Sequence, residues 1–167
     1  MENRYIVEDS SYLLSVFNPD DRFHNEALET LGIITRFPNI TLVFPEIVIH
    51  ETSFSLMKLC LPPELIRGKI NDLSMLPKVI IFDMNPFTSL RYISRYYNKL
   101  TLSQSQRNIT KTNDYLIGCA AIDFNASVIS SDLQMIDTLN LFQIECFDFS
   151  KPESRKALKD KFEDIPF

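Results

Sequence analysis

Short apolar runs alternate along the chain with longer stretches in which apolar residues recur every three or four positions. Arg4 to Val7 reads as a buried strand, followed by the acidic turn Glu8-Asp9-Ser10-Ser11. Tyr12, Leu13, Leu14, Val16 and Phe17 then fall at helical spacing, until Asn18-Pro19-Asp20-Asp21 breaks the helix. Residues 22–36 give a second helix with Phe23, Ala27, Leu28, Leu31 and Ile34 on its inner face. Ile40 to Phe44 is a second strand. Pro45 opens a helix at a favoured first position, running to about Leu61. Pro62-Pro63 starts another, to about Met75. Val79 to Phe82 is a third buried strand, and Asn85-Pro86 introduces a helix over roughly residues 87–100. Polar Thr101 to Thr112 is a loop or part helix.

A helix beginning at about Asp114, a tight turn at Asn125 and a short buried strand Ser127 to Ser130 follow, with Asp132 just beyond that strand's end. Leu141 to Phe147 is the last strand. Ser150, Pro152 and Glu153 form a capping box with proline inside the first turn, so residues 151–163 should be a terminal amphipathic helix. Strands alternating with helices imply an α/β fold: a three-layer α/β/α sandwich on a mostly parallel sheet of about five strands. The chain divides into a main domain over residues 1–149 and a C-terminal amphipathic helix and tail over 150–167.

The length of 167 residues is enough for one domain with a real core. No apolar run approaches the roughly 18 residues of a membrane span, and the start shows no signal-peptide pattern. Cys60, Cys119 and Cys146 lie in apolar contexts and read as buried thiols in a reducing cytoplasm, without a zinc cluster. Three glycines are too few for a phosphate-cradling loop. The net charge of −5 argues against a nonspecific coat on duplex DNA.

The chemistry lies in the acids. Asp9 follows the first strand, where it is either an N-cap or a site residue. Glu51 has apolar Ile47, Val48 and Phe54 around it on a helix face, so its carboxylate needs a cation. Lys58 is the bland partner and a metal the sharper one. Asp114 lies in a helix's first turn, and Asp132 is placed to cap, with Ser130 and Ser131 competing. Asp9, Glu51, Asp114 and Asp132 gathered at strand ends would repel one another without a divalent cation, and hard oxygen ligands select Mg2+ or Mn2+. Glu46, Asp20, Asp21, Asp72, Asp123 and Asp137 read as first-turn, surface or capping residues.

In order and spacing, these motifs resemble the PIN-domain ribonucleases, most of all the VapC-type toxins of toxin–antitoxin pairs. The resemblance covers residues 3–147: Asp9-Ser10-Ser11 before Tyr12-Leu13-Leu14, Asn18-Pro19-Asp20-Asp21 before His24, Phe44-Pro45-Glu46 leading to Glu51, Asp114 with its small apolar helix, and Ser130-Ser131-Asp132. Ser10 and Ser11 stand where threonine and asparagine are usual. The resemblance implies a cytoplasmic, metal-dependent endoribonuclease with Asp9, Glu51, Asp114 and Asp132 on Mg2+ or Mn2+. It also implies Ser10, Ser11 and Ser131 orienting those carboxylates, RNA as substrate, an antitoxin partner and a homodimer.

Arg91, Arg95 and Lys99 form a basic stripe beside Tyr92 and Tyr96, either gripping RNA or simply solvated over inward-packed rings. Arg107 and Lys111 are further candidates for RNA contact. Two rival functions remain. One is a noncatalytic PIN-like module that binds a protein. The other is a receiver-like phosphoacceptor domain using Glu8, Asp9, Asp83, Ser130 and Lys151, which leaves Glu51 and Asp114 unexplained.

Overall fold

The computed structural model describes residues 4–96 and 112–163. Five strands, β1 (Arg4–Glu8), β2 (Ile40–Pro45), β3 (Val79–Phe82), β4 (Ser127–Ser130) and β5 (Cys146–Asp148), form one sheet in the order β3-β2-β1-β4-β5. Every pairing is parallel, with Val7 opposite Val43 on one side and Val128 on the other. The helices are α1 (Ser10–Phe17), α2 (His24–Thr35), α3 (Glu46–Lys58), α4 (Pro63–Ser74), α5 (Pro86–Tyr96), α6 (Thr112–Phe124), α7 (Leu133–Leu141) and α8 (Pro152–Glu163). α1 packs on α2 and α3, α3 on α4, and α2 on α8; α5 and α7 pack on α6. The three-layer sandwich follows from these two helical groups and the sheet between them. The order differs from the 2-1-3-4-5 of receiver-like folds, so the phosphoacceptor reading lacks its scaffold.

Ile6, Val7, Leu42, Val43, Phe44, Val128 and Ile129 make the centre of the core from the three inner strands. Such strands are covered on both faces and read as continuous apolar runs. β3 departs from its expected burial: Val79, Ile80 and Phe82 are half-buried and Ile81 is exposed. The cause is its place at the sheet edge. α6 is apolar almost all round, with Leu116, Ile117, Cys119, Ala120 and Ala121 buried. A Cβ on Gly118 would meet Leu139 Cδ2 at 2.9 Å, so glycine permits the close approach of α6 and α7. Asn125, at φ 48°, makes the expected tight turn into β4, a left-handed conformation that asparagine tolerates.

Four local expectations change. The last strand is only Cys146–Asp148, and the apolar run before it belongs to α7 and to a turn at Gln143, φ 59°. Leu139 and Ile144 are buried through that helix and turn. On α2, Ile33 and Thr30 are buried while Leu28 is exposed, a rotation of the inner face from the expected one. Ser150 donates its hydroxyl to Asp148 Oδ1 at 2.6 Å, and Asp148 Oδ1 also accepts the Ser150 N–H, so an aspartate turn replaces the expected capping box. Cys60 is exposed, because it ends α3 in a left-handed conformation.

α8 closes the core. Leu158 and Phe162 are buried, Arg155 bonds the Phe149 carbonyl at 2.8 Å, and the Arg155 guanidinium meets Glu29 of α2 at 2.9 Å.

Glu8 is the costly residue of the core. It is fully buried and neither carboxyl oxygen has a hydrogen-bond partner among the described residues. Burial, and then the charge of Asp9, raises its pKa well above the ordinary 4.5. A raised carboxyl pKa costs stability once the unfolded chain ionises, above about pH 4.5, and the cost grows as pH rises toward the folded value. Glu8→Leu is therefore expected to stabilise the protein by about 1–3 kcal/mol at pH 8. Urea unfolding from pH 8 to pH 4 should show the gain shrinking toward acid; a gain independent of pH, or a loss, contradicts the assignment.

Candidate active site

The sheet order places a switch point between β1 and β4, where successive crossovers leave in opposite directions. In open α/β sheets, ligand sites form in the crevice outside the strands' carboxyl ends at such points. Asp9 follows β1 directly, and Asp132 lies two residues beyond β4. Three helices also begin here, each presenting unsatisfied N–H groups and the positive end of its dipole. Asp9 is the N-cap of α1, Asp132 caps α7, and Asp114 is in the first turn of α6. Glu51 comes from the middle of α3.

All four acids line a single cleft of about 150 Å3, together with Ser10, Ser11, Leu14 and Ser55. The cleft thus brings together residues spread from position 9 to position 132. Asp9 and Asp114 are buried, at 5% and 6% exposed; Glu51 and Asp132 are half-buried. A larger cavity, about 710 Å3, opens at the amino ends of the strands between Arg4, Tyr5, Phe142 and Lys161. Its carboxylate, Glu145, is bridged to Lys161, so the acid set lies in the smaller cleft.

Asp9 is held by four donors. Its Oδ1 accepts the Ser10 N–H at 2.7 Å and, more loosely, the Ser10 hydroxyl at 3.3 Å. Its Oδ2 accepts the hydroxyls of Ser11 and Ser130, each at 2.7 Å. With both protons donated to Asp9, the Ser11 and Ser130 oxygens, 3.3 Å apart, are neighbours and not a bonded pair. Each instead accepts from the backbone: Ser11 from the Ser131 N–H at 3.1 Å, Ser130 from the Asp132 N–H at 2.9 Å. The segment that positions Asp132 is thereby fastened to the carboxylate of Asp9. Asp132 Oδ1 in turn accepts from the Gln134 and Met135 N–H groups.

Ser10 and Ser11 stand where the sequence places orienting groups, while Ser131 contributes through its backbone. The hydroxyl missed for this role is that of Ser130, whose signal was its position at the last residue of a strand beside β1. Asn113 was missed as well: its side-chain N–H donates to Glu51 Oε1. Lys58, the expected bland partner of Glu51, stacks instead over the Phe54 ring at 4.6 Å. Phe54 itself is exposed, so the Glu51 face is less apolar than its neighbours suggest.

Arg91 and Arg95 reach Asp123 at 3.7 and 3.0 Å, docking α5 on α6. Asp123 is nine residues along α6 from Asp114, about 14 Å at the helical rise, so this pair sits away from the cleft. Lys99, Arg107 and Lys111 lie outside the described residues.

Four carboxylates are a suitable donor set for a hard divalent cation. Asp9, Glu51 and Asp132 are turned onto protein donors, and among the described residues no three His, Cys, Asp or Glu side chains form a ready cation site. Helix N–H groups and serine hydroxyls hold Asp9 and Asp132 in place at the cleft.

No family sequence model matches the chain, and no curated protein does. Solved structures do. VapBC2 from Rickettsia felis, bound to a DNA fragment from its promoter, aligns with a TM-score of 0.60 at 18% identity, covering 85% of this chain and 96% of its own. The Mycobacterium tuberculosis sarcin–ricin loop cleaving toxin VapC20 aligns with a TM-score of 0.61 at 13% identity, covering 79% and 93%. FitAcB from Neisseria gonorrhoeae gives 0.54 at 13% identity, covering 86% and 97%. The chain is similar to these proteins in fold: a VapC-like PIN fold.

Removing either hydroxyl from Asp9 Oδ2 should cost about 1.5–3 kcal/mol, the range for hydrogen bonds to charged groups. Ser11→Ala and Ser130→Ala are expected to be non-additive in chemical denaturation, since both act on one oxygen. Strict additivity, or no loss in either variant, contradicts the network.

Proposed function

We propose that this chain, with its VapC-like PIN fold, is a metal-dependent endoribonuclease that hydrolyses RNA phosphodiester bonds as the toxin of a toxin–antitoxin pair. The observation carrying this reading is the convergence of Asp9, Glu51, Asp114 and Asp132 on one cleft at the sheet's switch point. Fold alone does not imply activity; the acid set is what adds chemistry to it. The sarcin–ricin loop cleaving activity of VapC20 supports RNA as the substrate class. The VapBC2 and FitAcB structures support an antitoxin partner.

In this proposal the four acids would hold Mg2+ or Mn2+. When bound, the cation supplies charge neutralisation at the phosphate and acidifies the attacking water. The chain's own residues do the rest. Ser11 and Ser130 hold Asp9 in one orientation, so its charge need not be ordered when substrate arrives. Ser10, through its N–H and hydroxyl, keeps that carboxylate at the mouth of α1. The N-termini of α1, α6 and α7 bring the positive ends of three helix dipoles to the cleft. Leu14 forms an apolar wall that limits water around the scissile phosphate. Arg91 and Arg95 serve RNA phosphates some distance from the reacting bond, with Lys99, Arg107 and Lys111 as further cations.

One observation favours a second reading, a noncatalytic PIN-like module that binds a protein: the Asp9 carboxylate already accepts four hydrogen bonds. Cleavage separates the two readings. Purified protein incubated with structured RNAs and Mg2+ or Mn2+ is expected to cut them. Asp9→Asn and Asp132→Asn should each lower the rate by at least about 100-fold, in keeping with the scale of ligand-shell losses. Cutting that both variants retain, or none in any metal, contradicts the nuclease.

A further inference from the structure

We infer that Asn113 is a positioning residue that sets the affinity of the acid cluster for a divalent cation by holding Glu51; this rests on the metal-dependent reading above. Asn113 is in the first turn of α6, one residue before Asp114, and its Nδ2 donates to Glu51 Oε1 from 62 positions away in sequence. Both residues are half-buried. α3 packs on α1, α4 and β2, whereas α6 packs on β1, α5 and α7. The hydrogen bond therefore joins helices of the two outer layers across the mouth of the cleft.

The chemistry of the donor decides what it does. Lysine or arginine at this position would hold Glu51 and also cancel its charge. The amide of Asn113 is neutral, so it fixes the carboxylate and leaves its negative charge in place. It uses one of about four lone-pair sites on the carboxylate, leaving the others for a cation. Glu51 reaches the cleft from mid-helix on a long, flexible side chain, and ordering such a side chain on binding is unfavourable. Asp9 has its serines and Asp132 its capping N–H groups; Asn113 does the corresponding job for Glu51. Adjacent positions on α6 thus divide the work: Asp114 lines the cleft and Asn113 steadies the acid opposite it.

The test is calorimetric titration of the full chain with MnCl2, using wild type, Asn113→Leu and Asp114→Asn. Asn113→Leu keeps the side chain's size and removes its donor. Its Mn2+ dissociation constant is expected to rise about tenfold, at the lower end of losses seen when a ligand's supporting partner is removed, with little change in melting temperature. A dissociation constant within twofold of wild type overturns the role of Asn113 while leaving the metal site standing. No binding by wild type, or undiminished binding by Asp114→Asn, overturns the metal reading itself and this inference with it. Should Asn113→Leu fail to fold, the Asn113 side-chain amide resonance of the otherwise native protein is compared with that of Glu51→Gln. A clear displacement supports the clamp, and an unmoved resonance contradicts it.

Discussion

Two serine hydroxyls on one aspartate oxygen tie together the parts of this molecule that matter for chemistry. Ser11 belongs to α1 and Ser130 to β4, and both donate to Asp9 Oδ2. The same hydroxyls accept the N–H groups of Ser131 and Asp132. The end of β4 cannot move relative to β1 without breaking hydrogen bonds to a buried carboxylate, which is expensive in a region of low polarity. Asp132 takes its place from that constraint. The parallel pairing of β1 with β4 sets the distance between the strands, and the serines convert that distance into a fixed relation between two acids.

The surrounding helices make such a concentration of acids tolerable. The amino ends of α1, α6 and α7 meet at the carboxyl edge of the sheet, and each carries roughly half a positive charge in its unsatisfied N–H groups. Capping and ligation are therefore not rival explanations for Asp9, Asp114 and Asp132. A carboxylate that caps a helix at a strand's end is already ordered and facing the crevice. Glu8 shows the opposite circumstance one residue away: it has neither a cap nor a hydroxyl, and burial drives its carboxyl toward the neutral form.

Much of this architecture was legible in the sequence because each signal was local. The inner strands are continuous apolar runs, the breaks at Asn18-Pro19 and Pro62-Pro63 stand where helices end or begin, and Asn125 marks a turn that closes in the left-handed conformation. The four acids were legible as candidates because each follows a strand or sits at a defined point of a helix. What could not be read depended on distant partners. The exposure of β3 follows from its place at the sheet edge, which strand composition does not reveal. Ile144 is buried by a turn, though the apolar run from Leu141 to Phe147 suits a strand equally well. Asn113 gave no signal because its partner is in another helix on the other side of the sheet. Arg91 and Arg95 were legible as a basic stripe, but their partner Asp123 on α6 was not.

The central claim is that the cleft between Asp9, Glu51, Asp114 and Asp132 is a divalent-cation site. Anomalous diffraction from crystals of the protein grown with Mn2+ tests it most directly. The account predicts an anomalous peak in that cleft, bonded to oxygen atoms of at least three of these four residues, with Glu51 and Asp114 drawn inward. Well-ordered crystals with an empty cleft at saturating Mn2+, or with the ion bound elsewhere, would contradict it.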